Sequence, residues 1–135
     1  TRRLAQAMDV SKAPKALQDK AAEMFPKAET SIKAAYEAGV KIAVGTDAPA
    51  IPHGRNADEL VTLVEWGMPP EAVLRAATVV AADLIRMPNL GRIAEGHLAD
   101  VIAVPGDPLA DITVTQRVNF VMKGGKVFKD DANKD

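Results

Sequence analysis

A chain of 135 residues, 47% hydrophobic and 26% charged, has the length of about one domain and the balance of a packed globular protein, which excludes a disordered tail or a coiled coil. Seventeen basic against eighteen acidic residues give a net charge of −1, without the basic excess that a phosphate backbone needs, so no nucleic acid partner is expected. No apolar run approaches the roughly 20 residues of a membrane span, and the absence of cysteine removes disulfides, thiolate zinc sites and cysteine nucleophiles.

The first third reads helical. Leu17, Ala21, Met24 and Phe25 fall at i, i+4, i+7 and i+8, and Ile32, Ala35 and Tyr36 continue the period after Pro26. Gly39 supplies the stop. Val40 to Val44 is apolar but for Lys41 and bounded by Gly39 and Gly45, too short for another helix and with the profile of a buried parallel strand. From Gly45 to Asn56, glycine and proline recur without periodicity, which predicts a loop.

Asn56 and Glu59 offer an N-cap and capping-box pair for a helix with apolar positions Leu60, Val61 and Val64, ended by Gly67. Met68-Pro69-Pro70-Glu71 restarts a helix with Val73, Ala77, Val80 and Leu84 as its buried stripe and Pro88 as its close. In the last third, Ile93, Val101 to Val104, Val118 to Met122 and Lys126 to Phe128 read as short strands, with Gly124-Gly125 as a two-residue hairpin turn and Asp130 to Asp135 as a polar tail. Helix, strand, loop, helix is one βα step of a parallel sheet or barrel, and one step cannot cover both faces of its strand.

Asp47 follows the predicted strand directly, at the carboxyl end where such sheets and barrels place their reactive groups. A carboxylate there can bind a cation or take a proton from metal-bound water; alternatively it caps the following turn. His53, in the same loop, could ligate metal, shuttle a proton or hydrogen-bond a substrate, or simply be solvated. Arg55 could clamp an anion, though an arginine before a helix N-cap is as often solvated. His97, in a turn feeding a strand, reads as structural surface; Asp100, Asp107 and Asp111 read as turn and strand-end carboxylates; Trp66 reads as a packing anchor. With only two histidines, the chain alone is short of the three ligands that a hydrolytic zinc site usually takes. No phosphate-cradling glycine loop, nucleophile elbow or metalloprotease helix motif is present.

The run Gly39-Val40-Lys41-Ile42-Ala43-Val44-Gly45-Thr46-Asp47-Ala48, followed by Pro52-His53-Gly54, resembles the C-terminal part of the metal-dependent amidohydrolase superfamily. It is most like the imidazolonepropionase-like and prolidase-like (Xaa-Pro dipeptidase-type) branch. Glu59-Leu60, Gly67-Met68-Pro69-Pro70-Glu71-Ala72, Ala76-Ala77-Thr78, Gly91 to Asp100 and Gly124-Gly125-Lys126-Val127 extend the resemblance from about residue 30 to 129. It implies an α/β fold: residues 1–89 as the last strand and helices of a (β/α)8 barrel, then 90–129 as the C-terminal strands of a small β-sandwich, with 130–135 as a tail.

The same resemblance implies zinc or another divalent metal, one or two ions, with Asp47 as metal-contacting and proton-handling carboxylate and His53 as a substrate-facing residue. The family's His-x-His pair, bridging lysine and two further histidines belong to earlier strands that this sequence does not contain. Expected, then, is a segment of a hydrolase that cuts amide C–N bonds in dipeptides or cyclic amides, in a cytoplasmic setting, away from membranes. The competing expectation is an inactive fragment that only binds its missing half. As 135 residues fall short of the roughly 250 that such a barrel takes, the chain is expected to self-associate, to pair with a complementing N-terminal segment, or to be partly molten.

Overall fold

The computed structural model describes residues 14–48 and 52–131. Helix α1, Lys15–Glu37, runs unbroken through Pro26. Proline cannot donate the intrahelical bond, and Thr30 Oγ1 bonds back to the Pro26 carbonyl at 3.1 Å. The helix ends in a Schellman turn: Val40 N–H donates to Ala35 O at 3.0 Å and Gly39 N–H to Tyr36 O at 2.9 Å, with Gly39 at φ +76°. No α1 residue is fully buried. Ala28, Ile32 and Tyr36 rest against the core from one face, whereas Leu17 and Met24 stay exposed, because nothing in the described structure covers the first half of the helix.

The strand expected at Val40 to Val44 does not form as such. Residues 40–47 lie outside helix and sheet. A strand is defined by its ladder, and no neighbouring strand lies alongside among the described residues. The amide of Val44 donates to Ala76 O at 3.0 Å, while those of Lys41, Ile42 and Ala43 have no partner among the described residues. The side chains agree in part: Ile42 and Val44 pack on the core, whereas Val40 is 55% exposed.

Helix α2, Ala57–Glu65, closes as α1 does, with Met68 N–H donating to Leu63 O at 3.1 Å and Gly67 N–H to Val64 O at 2.9 Å around a left-handed Gly67. Helix α3, Pro70–Ala77, starts with proline at the position where its missing N–H costs nothing. The single helix expected from Met68 to Pro88 is broken at Thr78, whose φ of −122° and ψ of −92° separate α3 from α4, Val79–Leu84. Thr78 Oγ1 donates to Leu74 O at 2.7 Å, and Gly91 presses on its backbone so closely that a Cβ there would sit 2.7 Å from the Thr78 carbonyl carbon and oxygen. The break turns Leu84 out of the predicted stripe, leaving it 72% exposed, while Val73 is 0% exposed. Arg86, not Pro88, stands in the left-handed closing position, with φ +59°.

Antiparallel strands β1 (Val101–Ala103), β2 (Phe120–Lys123) and β3 (Lys126–Asp130) form one sheet in that order. Val101 pairs with Met122 and Ala103 with Phe120. The predicted hairpin turns at Gly124-Gly125, both at positive φ as a type I′ turn requires, so Lys123 faces Lys126. Between Met122↔Val127 and Val121↔Lys129 the register shifts, making Phe128 the extra residue of a bulge. Asp130 pairs with Phe120 at the end of β3, and residues 132–135 of the expected tail lie outside the described residues. Ile93, expected in a strand, is in none and is 89% exposed. A 3-10 turn, Ile112–Gln116, was not signalled by periodicity; it packs on α2 and buries Ile112, Val114 and Thr115. The main core is Leu63, Trp66, Met68 and Val73.

Candidate active site

Asp47 ends the 40–47 segment, exposed, with its backbone at φ +50°. Outside glycine this left-handed conformation costs about 1–2 kcal/mol, tolerated best by Asp and Asn, and such strain tends to survive where a side chain must be aimed. Residues 49–51 lie outside the described set. The chain resumes in a turn, closed by Arg55 N–H to Pro52 O at 3.1 Å, that carries an exposed His53 and a left-handed Gly54.

Three side-chain links hold this region. Asn56 Nδ2 donates to Thr46 Oγ1 at 3.1 Å, tying the start of α2 to the residue before Asp47. The capping-box expectation is corrected: Asn56 makes no side-chain cap, because its backbone is itself helical, at φ −56° and ψ −33°, and its side chain is held toward Thr46. Arg55 is likewise neither free nor poised for an external anion. Its Nε and Nη2 both reach Asp58 Oδ2, at 2.8 and 2.6 Å. Gln116 Nε2 takes Asp58 Oδ1 at 2.7 Å. Glu59, in the first turn of α2, has its carboxyl pushed above the ordinary range by burial.

A cleft of about 710 Å³ opens between the end of the 40–47 segment, α2, the α3–α4 break and the sheet. Thr46 and Gly54 line it, together with Asn56, Thr78, Gln116 and Val121. Asp47 and His53 are each one residue from a lining position, so the structure brings their two segments to one cleft edge. Among the described residues no group of three or more His, Cys, Asp or Glu is placed to hold a metal ion. Asp47 offers one carboxylate and is not, with its surroundings here, a metal site.

The remaining expectations concern architecture. Asp100 accepts from Gly124 N–H at 2.7 Å and Lys123 Nζ at 3.1 Å, and these bonds hold its carboxyl below the usual carboxylate range. Asp111 caps the 3-10 turn through Thr113 N–H at 2.9 Å and is lowered by Thr113 for the same reason. Asp107 accepts from Leu109 N–H at 2.9 Å. The His97 ring meets the Glu95 carbonyl at 3.4 Å, and its backbone N–H donates to Ala94 O at 3.1 Å. Trp66 is in the core as expected.

The amidohydrolase family profile matches residues 2–128. Ochratoxinase of Aspergillus niger is 43% identical over 117 residues, which cover 80% of this chain and 24% of that protein. A crystal structure of a Xaa-Pro dipeptidase with bound methionine in its active site superposes with a TM-score of 0.83 at 41% identity, covering 93% of this chain and 32% of the other. A prolidase complexed with N-methylphosphonate-L-proline gives 0.82 at 31% identity, covering 95% and 33%. The chain thus spans about a quarter of the length of the curated relatives it matches and about a third of the solved structures.

Proposed function

Because this chain belongs to the amidohydrolase family, we propose that it is a segment of a hydrolase that cuts amide C–N bonds, with a dipeptide or cyclic amide as substrate. The observation that carries the reading is Asp47, at φ +50° next to Thr46, which lines the same cleft as Gly54, the neighbour of His53. The similarity to Xaa-Pro dipeptidase and prolidase structures, and to ochratoxinase, supports it. A cytoplasmic setting and a water-soluble small-molecule or peptide substrate go with this reading.

Amide hydrolysis needs a water made nucleophilic and a nitrogen made a better leaving group. In our reading the Asp47 carboxylate accepts the proton of the water that attacks the carbonyl carbon and delivers it to the nitrogen as the C–N bond breaks. His53 hydrogen-bonds the carbonyl or carboxylate of the bound substrate. Members of the superfamily are in general metal-dependent, and zinc or another divalent ion belongs to the proposal. Since the described residues do not form a metal site, Asp47 would be one ligand and the rest would come from outside this chain.

Kinetics of the full-length enzyme carrying this segment test the assignment. Asp47→Asn keeps the shape of the side chain and loses the base, so kcat should fall about 10²–10⁴-fold with the unfolding transition unchanged. Near-normal turnover removes Asp47 from the mechanism. His53→Ala should raise KM or lower turnover with metal content unchanged; loss of metal would make His53 a ligand instead.

A second reading has its own support. The amides of Lys41, Ile42 and Ala43, which have no partner among the described residues, and exposed Ile93, Ile102 and Phe128, suit a chain that is inactive alone and pairs with a complementing N-terminal segment or with a second copy. Turnover separates the two readings: amide hydrolysis recovered when this chain is mixed with a complementing N-terminal segment supports the first, and binding without turnover supports the second.

A further inference from the structure

Asp58 is 8% exposed at the start of α2, and an ionised carboxylate that deeply placed costs free energy unless both its oxygens are satisfied. Both are. Oδ2 takes two N–H groups of Arg55, and Oδ1 takes the Gln116 amide, 58 residues away. A carboxylate that merely complemented the α2 dipole would need neither partner. The arrangement therefore joins the 3-10 turn between β1 and β2, through one buried side chain, to the turn that carries His53.

We infer that Asp58 is a positioning residue: anchored to Gln116, it fixes Arg55 and with it the Pro52–Asn56 turn, so that His53 meets the substrate in one geometry. This rests on the reading of His53 as a substrate-binding residue. Apart from the Asp58 side chain, the turn is held by the Arg55 N–H to Pro52 O bond of 3.1 Å and the Asn56–Thr46 bond. The Asp58 N–H to Arg55 O and Glu59 N–H to Asn56 O bonds, at 3.0 and 3.3 Å, fix the backbone of its last two residues and not the Arg55 side chain. The Asn56–Thr46 bond reaches the Asp47 side, so it secures the proton-transfer carboxylate independently of Asp58. Loosening Asp58 should consequently weaken substrate binding and spare the chemical step, a split that general destabilisation would not produce.

The test uses the full-length enzyme with a Xaa-Pro dipeptide as probe, with metal content and unfolding transitions measured alongside. Asp58→Asn should raise KM about tenfold with kcat within about twofold, and Gln116→Ala should raise it about threefold in the same pattern. Arg55→Ala combined with Asp58→Asn should be no worse than Asp58→Asn alone, as expected for residues acting through one contact. Amide exchange at His53 and Gly54 should quicken in Gln116→Ala. If Asp58→Asn does not fold, Gln116→Ala decides, since Gln116 is exposed and its loss removes one bond. An unchanged KM in Gln116→Ala, or kcat falling in step with KM rising, overturns the inference. An unchanged KM in His53→Ala overturns the reading of His53 itself, and the inference with it, and is recognisable because it appears without any change at Asp58.

Discussion

Residues 57–82 and residues 40–47 are neighbours in the fold with opposite economies of contact. The first stretch meets most of its backbone needs through its own helices: α2 and α3 end in local turns, and Leu63, Trp66, Met68 and Val73 pack into one another. The second packs Ile42 and Val44 onto that core and yet leaves the amides of Lys41, Ile42 and Ala43 without partners among the described residues. A helix satisfies its backbone locally, whereas a strand depends on chain that lies elsewhere. The three-stranded sheet stands between the two cases, paired internally but with Ile102 and Phe128 outward.

The largest structural effect should come from the self-sufficient stretch. Trp66→Ala in the full-length protein should cost about 3–5 kcal/mol in denaturant unfolding, the usual range for a buried large aromatic. Phe128→Ala should stay within about 0.5 kcal/mol if the exposed sheet face remains uncovered. A large loss at Phe128 would show that this face is buried in the complete protein, and would sharpen the contrast.

Gly91→Ala comes next, at about 2–3 kcal/mol, because a Cβ at φ +77° would run into the Thr78 carbonyl. A neutral result would mean that the α3–α4 break can shift without loss.

The smallest effect is a pH response that differs between regions. Burial raises the Glu59 carboxyl above its ordinary value of 4.5, so the folded state holds that proton more tightly than the unfolded state does. The stability this gives is fully present below 4.5 and is lost as pH rises through the raised folded value. Glu59→Gln should therefore stabilise at neutral pH, with the gain vanishing under acid conditions. Asp100 has the opposite sign: its carboxyl is lowered from 3.8, so its contribution is present above that value and lost as pH falls through the lowered one. Denaturant titrations of Glu59→Gln and Asp100→Asn at pH 3 to 7 check both signs.

Much of this was legible where the determinants are local. Gly124-Gly125 specifies its hairpin, Pro70 and Gly67 mark helix ends, and Asp100, Asp107 and Asp111 serve turns, because each acts within a few residues or across one ladder. The break at Thr78 was not legible, since it depends on Gly91 approaching from another segment. Nor was the network of Arg55, Asp58 and Gln116: Asp58 looks like an ordinary first-turn helix acid, and only the fold brings Gln116 to it. Asn56 carried the correct residue type for a cap, but its backbone is helical and its side chain is held toward Thr46. At the candidate site, Asp47 and His53 were visible as residues in a loop, while the conformation of Asp47 and the shared cleft edge required the structure.

Amide hydrogen exchange along residues 40–44, measured together with sedimentation of this 135-residue chain and repeated on the full-length protein, tests most directly whether the segment waits for neighbours. Lys41, Ile42 and Ala43 should exchange at nearly the rate of unstructured peptide in the dissociated chain, which should also self-associate as its concentration rises. The same three amides should become protected in the full-length protein. A monodisperse monomer of this chain with Lys41, Ile42 and Ala43 already protected would contradict an incomplete barrel edge.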